Sequence, residues 1–461
     1  MTFLFESGSL EKITNGNANK EWKATGISID TRTIKKGDLF CAIKGTKYDG
    51  HDFIKKAYDK GAVAVLVNRN KNIPLNKPCL KVNNVLKALE KIADNKRKGS
   101  KAKFIAITGS VGKTGTKEML RDSFDKVAKV YANEASFNNH IGVPLALCKM
   151  PKNIKYSVLE LGMNKLGEIK KLSKIVMPEV GIITSIENAH LSGLRTLNKI
   201  AEAKCEILSQ ISNSGCFIFN NDTNFSDYML AKAKKFNIKN IISYGIKKSS
   251  DVRLLKYRRV NNNYIIKANV LGQEVGWKMP VVSEHWVHNS LSVIAVGLFY
   301  NLSFKNFLLG LRTFKVPTGR GNKIKCYLNG KKFIIINDSY NSNPASLKSS
   351  LAAFSKEKTK GKKIIILGDM LELGQDSLKI HLNFTNNIIS SGAKVLITKG
   401  RHMKELNKSL PTNIEKYHIE KSDNLIATVY KNISNNDLLL VKGSNSIGLG
   451  EVVRKLKNGL N

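Results

Sequence analysis

The stretch Phe104-Ile105-Ala106-Ile107-Thr108-Gly109-Ser110-Val111-Gly112-Lys113-Thr114 decides how the rest of the chain is read. Its first four residues form an unbroken apolar run, the pattern of a strand buried on both faces. The run ends in G-x-x-G-K-T. The longer form G-x-x-x-x-G-K-[ST] would need glycine at position 107, which is Ile107. The chemistry of the short form is the same. Glycines let backbone N–H groups approach a phosphate, the lysine reaches the β/γ oxygens, and the threonine hydroxyl can hold Mg²⁺. A helix is expected from Thr114 to about Val127. Strand, glycine loop and helix in this order open an α/β unit. Gly109, Ser110, Gly112, Lys113 and Thr114 are therefore candidate nucleotide-binding residues.

A second apolar strand, Ser157–Leu161, carries an acid at its end. Glu160 is the candidate metal ligand beside the Thr114 hydroxyl. The competing reading is a strand-end acid facing water.

Working outward, 461 residues suggest about three domains at ~100–200 residues each. Residues 1–100 read as short mixed elements, with a strand at Val63–Val67 and a helix at Val85–Arg97. Lys96-Arg97-Lys98-Gly99-Ser100-Lys101 is charged, and a linker is expected there. Residues 101–316 form the phosphate-loop unit, with further strands at Val180–Thr184 and Phe217–Phe219. Alternation between Arg253 and Met279 suggests a local antiparallel patch, and Ser283–Tyr300 a helix. A boundary is expected at Val316-Pro317-Thr318-Gly319-Arg320-Gly321. Residues 317–461 then alternate strands (Phe333–Ile336, Lys363–Leu367, Ala393–Thr398, Asp437–Val441) with helices, a Rossmann-like pattern.

The net charge of +40 comes mostly from lysine spread over the whole length. No arginine-rich arm or basic stripe with interleaved aromatics stands out, so nucleic acid is not the expected partner. A positive field would still steer anionic small molecules. The six cysteines are scattered without C-x-x-C or zinc spacing, as expected for free thiols in a reducing compartment. No apolar run approaches a membrane span, and the start has no signal-peptide pattern, so a cytoplasmic protein is expected.

Several segments together resemble the Mur ligases, the ATP-dependent amide-forming enzymes of cell-wall precursor synthesis. They are Gly112–Glu118, Asn138-Asn139-His140-Ile141-Gly142-Val143-Pro144, Ala189-His190-Leu191, Ala203-Lys204-Cys205-Glu206-Ile207, Asn220-Asn221-Asp222, His285 with Asn289, and Arg320. Two further segments resemble the branch of the family that appends D-alanyl-D-alanine. These are Asn337-Asp338-Ser339-Tyr340-Asn341-Ser342-Asn343-Pro344 and Leu367-Gly368-Asp369-Met370-Leu371-Glu372-Leu373-Gly374, with Lys442-Gly443-Ser444 agreeing. The D-N-P-R motif of the branch adding the third amino acid is absent. Ser28-Ile29-Asp30-Thr31-Arg32, Lys44-Gly45 and Asp49-Gly50-His51 are similar to the family's uridine-nucleotide-binding domain.

The resemblance implies an α/β protein of three domains: a small mixed uridine-nucleotide-binding domain, a central mostly parallel P-loop domain and a Rossmann-like C-terminal domain. It implies ATP and Mg²⁺ as cofactors, with UDP-MurNAc-tripeptide and D-Ala-D-Ala as small-molecule substrates, and a monomer without a nucleic-acid partner. It implies catalytic roles for Lys113, His190 and Lys204. Thr114, Glu160, His190 and Lys204 would surround metal, Lys204 as a carbamate formed with CO₂. Thr116, Asn289, Arg320 and Asp338 would join the nucleotide contacts: Asn289 for the base, Asp338 for the ribose, Arg320 for the phosphates. Ser28, Asp30, Thr31, Arg32, Lys44, Asn138, Asn139, Tyr340, Asn341, Asn343 and Ser444 would bind the other substrates. Without the resemblance, Lys204 reads as a solvated helix lysine and His190 as an ordinary surface or core histidine.

The chain also departs from the family pattern. Ser185 and Glu187 stand for Asn and Gly, Asn445 for an Arg, and Gly115 for a Thr, this last expected to matter little. The alternatives are a sister ligase, such as the enzyme adding the third amino acid or a folylpolyglutamate synthetase, and a basic P-loop protein that binds nucleic acid or acts as a regulatory NTPase.

Overall fold

The apolar run before the glycine loop is the strand Lys103–Thr108, and it lies inside a nine-stranded sheet. The computed structural model describes residues 3–134, 137–188, 191–261, 263–280 and 284–458. Phe104, Ile105, Ala106 and Ile107 are all 0% exposed. Each large side chain buried this way contributes roughly 1.5–3 kcal/mol. Tyr156–Glu160 runs parallel on one side of this strand and Val180–Ile183 on the other. The chain fills one side first, through Val130–Ala132 and Tyr156–Glu160, and then crosses to the other. The crevice beyond the carboxyl ends of strands at such a crossover is where α/β sheets bind ligands. The register sets Glu160 opposite Ile107 and Ile183 opposite Thr108. The loop therefore leaves the sheet between an acid and Thr184.

The sheet continues through Cys216–Asn220 and Asn240–Gly245 to Val252–Val260, all parallel. Asn263–Val270 and Gln273–Pro280 complete it as antiparallel strands. The alternation between Arg253 and Met279 is thus an extension of the main sheet rather than a separate patch. Its period 2 appears because one face of these strands is solvated. Helices Lys113–Phe124 and His285–Phe299 cover the other side of the sheet. Phe124 stacks on Tyr156 with ring centroids 4.1 Å apart.

The N-terminal unit has a five-stranded sheet in the order Asn17–Ala18, Cys79–Val82, Ala64–Asn68, Asp38–Cys41, Gly26–Ser28. The helix Val85–Lys98 is capped by Asn84, which accepts from Lys87 N, and buries Val85, Ala88, Leu89 and Ile92 at helical spacing. The expected linker is instead the end of this helix, docked on the middle unit. Lys96 Nζ donates to Cys148 O at 2.6 Å, and the Arg97 guanidinium donates to Val176 O and Met177 O. Arg97 also lies over the Phe104 ring at 3.9 Å. Charge marked these residues as solvated, but their stems and heads are absorbed by unsatisfied carbonyls at helix ends.

The C-terminal sheet has the order Asn322–Leu328, Lys331–Asp338, Leu438–Lys442, Lys363–Gly368, Val395–Lys399, Glu415–His418. All neighbours are parallel except the first pair. All six cysteines are free and buried. Among the described residues no helix is long and apolar enough to cross a membrane.

Candidate active site

A cleft of about 840 Å³ opens where the phosphate loop faces the C-terminal unit. Gly112 sits at φ 88°, and a Cβ there would lie 2.9 Å from Asn289 Oδ1. Glycine is required for both the turn and the approach. The helix Lys113–Phe124 begins at once, with its N–H groups aimed into the cleft. The loop crest is stapled to the next strand end. Val111 N donates to Ser185 Oγ at 3.0 Å, and Ser110 Oγ donates to Glu187 O at 2.9 Å. Ser185, a departure from the family pattern, is thus part of the loop's support.

Thr114 Oγ1 donates to Glu160 Oε2 at 2.8 Å, and Asn138 Nδ2 donates to Glu160 Oε1 at 2.8 Å. The Glu160 backbone N–H is held by Asn133 Oδ1 at 3.0 Å. Arg320, on the turn leading into the C-terminal sheet, donates to Thr114 Oγ1 at 2.9 Å and lies over the Tyr340 ring at 3.9 Å. Lys113 Nζ donates to Gly109 O at 2.6 Å. Burial pulls the Lys113 amine below its usual value, Glu160 opposes the shift and Arg320 adds to it.

Lys204 is 1% exposed on the helix Leu197–Cys205. It is not the solvated lysine that composition alone suggests. Burial, then the nearby Lys113 charge, push its amine well below the ordinary lysine range, so it is held toward the neutral form. His190 lies outside the described residues. Thr116 is 0% exposed and does not line the cleft, so its hydroxyl is not brought to the site. Its position two residues beyond Thr114 turns it into the core under the loop.

From the C-terminal unit, Asp338 accepts from Lys442 Nζ at 2.8 Å and from the Ser350 hydroxyl. Lys442 is 1% exposed and also donates to Asn341 O at 3.0 Å. Asn343 caps the helix Pro344–Ser355 in a reciprocal box with Ser346. Tyr340, Asn341, Asn343 and Ser444 line the cleft, as do Asn138, Asn139 and Asn289. Ser28, Asp30, Thr31, Arg32 and Lys44 do not. They lie in the N-terminal unit, where Asp30 and Arg32 pair at 2.6 Å. Glu90 of Val85–Lys98 carries that unit to the cleft wall.

The reading from sequence gave no role to Asn133, Lys442, His285 and Trp286. Lys442 had a signal, a lysine ending the apolar strand Leu438–Lys442, where only a paired charge survives burial. His285 lines the cleft with its side chain open to it, and desolvation by the surrounding protein lowers its pKa to about 4. Trp286 had none, because its contact is with a glycine. A Cβ on Gly115 would lie 2.1 Å from the Trp286 ring. Gly115 therefore matters here, against expectation.

A phosphate loop at the carboxyl ends of parallel strands, backed by an acid and met by an arginine from a second α/β unit, defines a P-loop protein whose site lies between two units. Three family models cover most of the chain: the Mur ligase family catalytic domain over residues 23–103, the Mur ligase middle domain over 107–297, and the Mur ligase glutamate ligase domain over 319–445. The chain belongs to the Mur ligase family. A UDP-N-acetylmuramoyl-tripeptide–D-alanyl-D-alanine ligase of Rickettsia prowazekii is 34% identical over 427 residues, covering 93% of this chain and 94% of the relative. The enzyme of that name from Bacillus subtilis is 31% identical, covering 97% and 96%. A crystal structure of MurF from Acinetobacter baumannii matches with TM-score 0.85 and 25% identity, covering 99% of this chain and 100% of that one.

Proposed function

We propose that this chain joins D-alanyl-D-alanine to a UDP-N-acetylmuramoyl-tripeptide in an ATP-dependent, ADP-forming ligation. Its family and the names of its full-length relatives support this reading. The observation that carries it is the chain of contacts from Arg320 through Thr114 to Glu160, which joins two units across the phosphate loop.

A carboxylate is a poor electrophile for an amine at neutral pH. Its oxygen attacks the γ-phosphorus of ATP and ADP leaves, giving an acyl phosphate. The dipeptide nitrogen then attacks the carbonyl carbon, and the tetrahedral intermediate expels phosphate. The first step brings anions together, so positive charge must be fixed in place beforehand. Lys113 and Arg320 supply it from opposite walls. Asn289 contacts the base and Asp338 the ribose, with Lys442 holding the Asp338 carboxylate in place. Tyr340, Asn341, Asn343 and Ser444 shape the dipeptide side. Ser28, Asp30, Thr31, Arg32 and Lys44 bind the uridine end, while Asn138 and Asn139 act nearer the reacting end.

Thr114 Oγ1 and Glu160 Oε2 are hard oxygen donors 2.8 Å apart, which suits Mg²⁺. Among the described residues no three His, Cys, Asp or Glu side chains cluster. That fits an ion held by one carboxylate together with substrate phosphates and water. Thr114 and Glu160 would hold it, and it would neutralise charge on the β- and γ-phosphates. Lys204, kept toward a neutral amine, is chemically competent to take up CO₂ as a carbamate near a second ion with His190. A monomeric cytoplasmic enzyme completes the reading.

Phosphate release in the presence of ATP, UDP-MurNAc-tripeptide and D-Ala-D-Ala tests the proposal. It should collapse when either acceptor or dipeptide is omitted. Release indifferent to both omissions sinks it.

A further inference from the structure

The wall of the cleft on the side of the N-terminal unit is built by two helices, and none of the roles above uses it. Val85–Lys98 of the N-terminal unit contributes Glu90. Glu168–Val176 of the middle unit contributes Lys171, Leu172 and Ile175. The two helices pack on each other. Arg97 pins their carboxyl ends together by donating to Val176 O and Met177 O. At about 1.5 Å per residue, Glu90 stands about 10 Å back along its helix from that pin, and Lys171 about 8 Å back along the other. Leu172, 2% exposed, and the partly buried Ile175 give the wall an apolar backing. Glu90 is half-buried and Lys171 exposed. Among the described residues, the Glu90 carboxylate and the Lys171 amine make no hydrogen bond and no ion pair, with each other or with any neighbour.

We propose that Glu90 and Lys171 read the charged end of the acceptor's third side chain, Glu90 taking its ammonium and Lys171 a carboxylate beside it, so that a diaminopimelate residue is preferred to lysine there. This deepens the ligase reading and rests on it. The N-terminal unit binds the uridine end of the acceptor and the reacting carboxylate lies by Lys113, so the peptide between them runs along the wall that joins the two. Five acids line the cleft. Asp338 and Glu372 belong to the C-terminal unit, and Glu160 lies under the phosphate loop with Thr114. On the acceptor side stand Glu168 and Glu90, and Glu168 holds its own loop through Asn164 N at 2.7 Å and Lys165 N at 3.2 Å. The sugar acid caps the amino end of the acceptor peptide, which leaves the third side chain as the one cation of that molecule. A carboxylate without a protein partner attracts that group and no other part of the acceptor. A lysine side chain presents an ammonium alone. A diaminopimelate side chain presents an ammonium and a carboxylate on one carbon, and an acid on one helix with a base on the other matches that pair. The methylene stem common to both lies against Leu172 and Ile175.

The test is steady-state phosphate release by the full chain with UDP-MurNAc-tripeptides ending in diaminopimelate or in lysine, at saturating ATP and D-Ala-D-Ala. Wild type should show a KM about fivefold lower for the diaminopimelate acceptor, the size of one exposed charge pair. Added salt should narrow that gap. Lys171→Met should raise KM for the diaminopimelate acceptor to the level of the lysine one, and leave the lysine one within about twofold. Glu90→Gln should raise KM for both acceptors about tenfold, through loss of a hydrogen bond to a charged group. In both variants KM for ATP and for D-Ala-D-Ala should stay within about twofold, since neither side chain touches those sites. Equal wild-type KM values, or a lower one for the lysine acceptor, overturn the proposal and leave the ligase reading standing. So does an acceptor KM unmoved in Glu90→Gln, or a Lys171→Met effect equal on both acceptors. A rise of all three KM values together marks a merely structural role and overturns it as well. Wild-type release that needs no acceptor overturns the ligase reading itself.

Discussion

Lys113 makes its hydrogen bond back to Gly109 within the loop it serves. Lys113→Ala should therefore leave the melting temperature nearly unchanged while reducing ligation below detection in the phosphate assay. Gly115 behaves differently. Its substitution by Thr, the residue the family pattern suggests, drives a Cβ into Trp286 and should destabilise by about 1–3 kcal/mol. Trp286→Leu in the same chain should recover much of that loss in a denaturant titration. His285 gives a pH signature. In the unfolded chain it takes a proton near its ordinary 6.5, in the folded chain only near 4. The folded state binds fewer protons between those values, so the contribution is whole above 6.5 and is lost as the pH falls toward 4. The drop in melting temperature over that window should be shallower in His285→Gln.

Chemistry at single residues was legible where it sat at the end of a strand. Thr114 closes the glycine loop and Glu160 ends the neighbouring strand; they meet in space because the parallel register sets Glu160 opposite Ile107, just before the loop. Lys204 was legible only through resemblance, since nothing in its own helix betrays how deeply it is buried. Trp286 was not legible at all, because it is defined by a missing side chain opposite it.

Among elements, the parallel strands were the easy part, because burial on both faces leaves unbroken apolar runs. Val180–Ile183 and Leu438–Lys442 fall within a residue of their expected ends. The helix Pro344–Ser355 forms one wall of the cleft through a cap that also faces the ligand side. Asn343→Ala should cost about 1 kcal/mol of stability through the lost cap. The same variant should raise KM for the dipeptide. Asn343→Asp, which can still cap, separates the two effects: stability is retained, and only the kinetic change remains. The end of Val85–Lys98 misled for a physical reason. Composition reports the charge of Lys96 and Arg97, but not the helix-end carbonyls waiting for them on another unit.

At the scale of the whole molecule, polar side-chain contacts among the described residues join the middle and C-terminal units at two places. One is the Arg320–Thr114 bond inside the cleft. The other lies outside it, where Lys356 pairs with Glu284 at 2.7 Å and Arg259 approaches Glu357 at 3.9 Å. Exposed pairs of this kind contribute about 0–1 kcal/mol each and weaken with salt. Glu284→Lys should consequently raise KM for ATP by a few-fold at most, about 1 kcal/mol or less. Added salt should shrink the difference from wild type.

The ring that crowds Gly115 also determines what the protein emits. The chain has three tryptophans, Trp22, Trp277 and Trp286, and all three are buried. Trp22 belongs to the N-terminal unit, while Trp277 and Trp286 flank the hairpin and the phosphate loop. The unit beyond Gly321 carries none. Ultraviolet emission is therefore a nearly local gauge, in which Trp286 senses occupancy of the phosphate loop at the first turn of its helix. Melting of the C-terminal unit by itself would pass almost unseen in that signal and would have to be followed by far-ultraviolet dichroism instead.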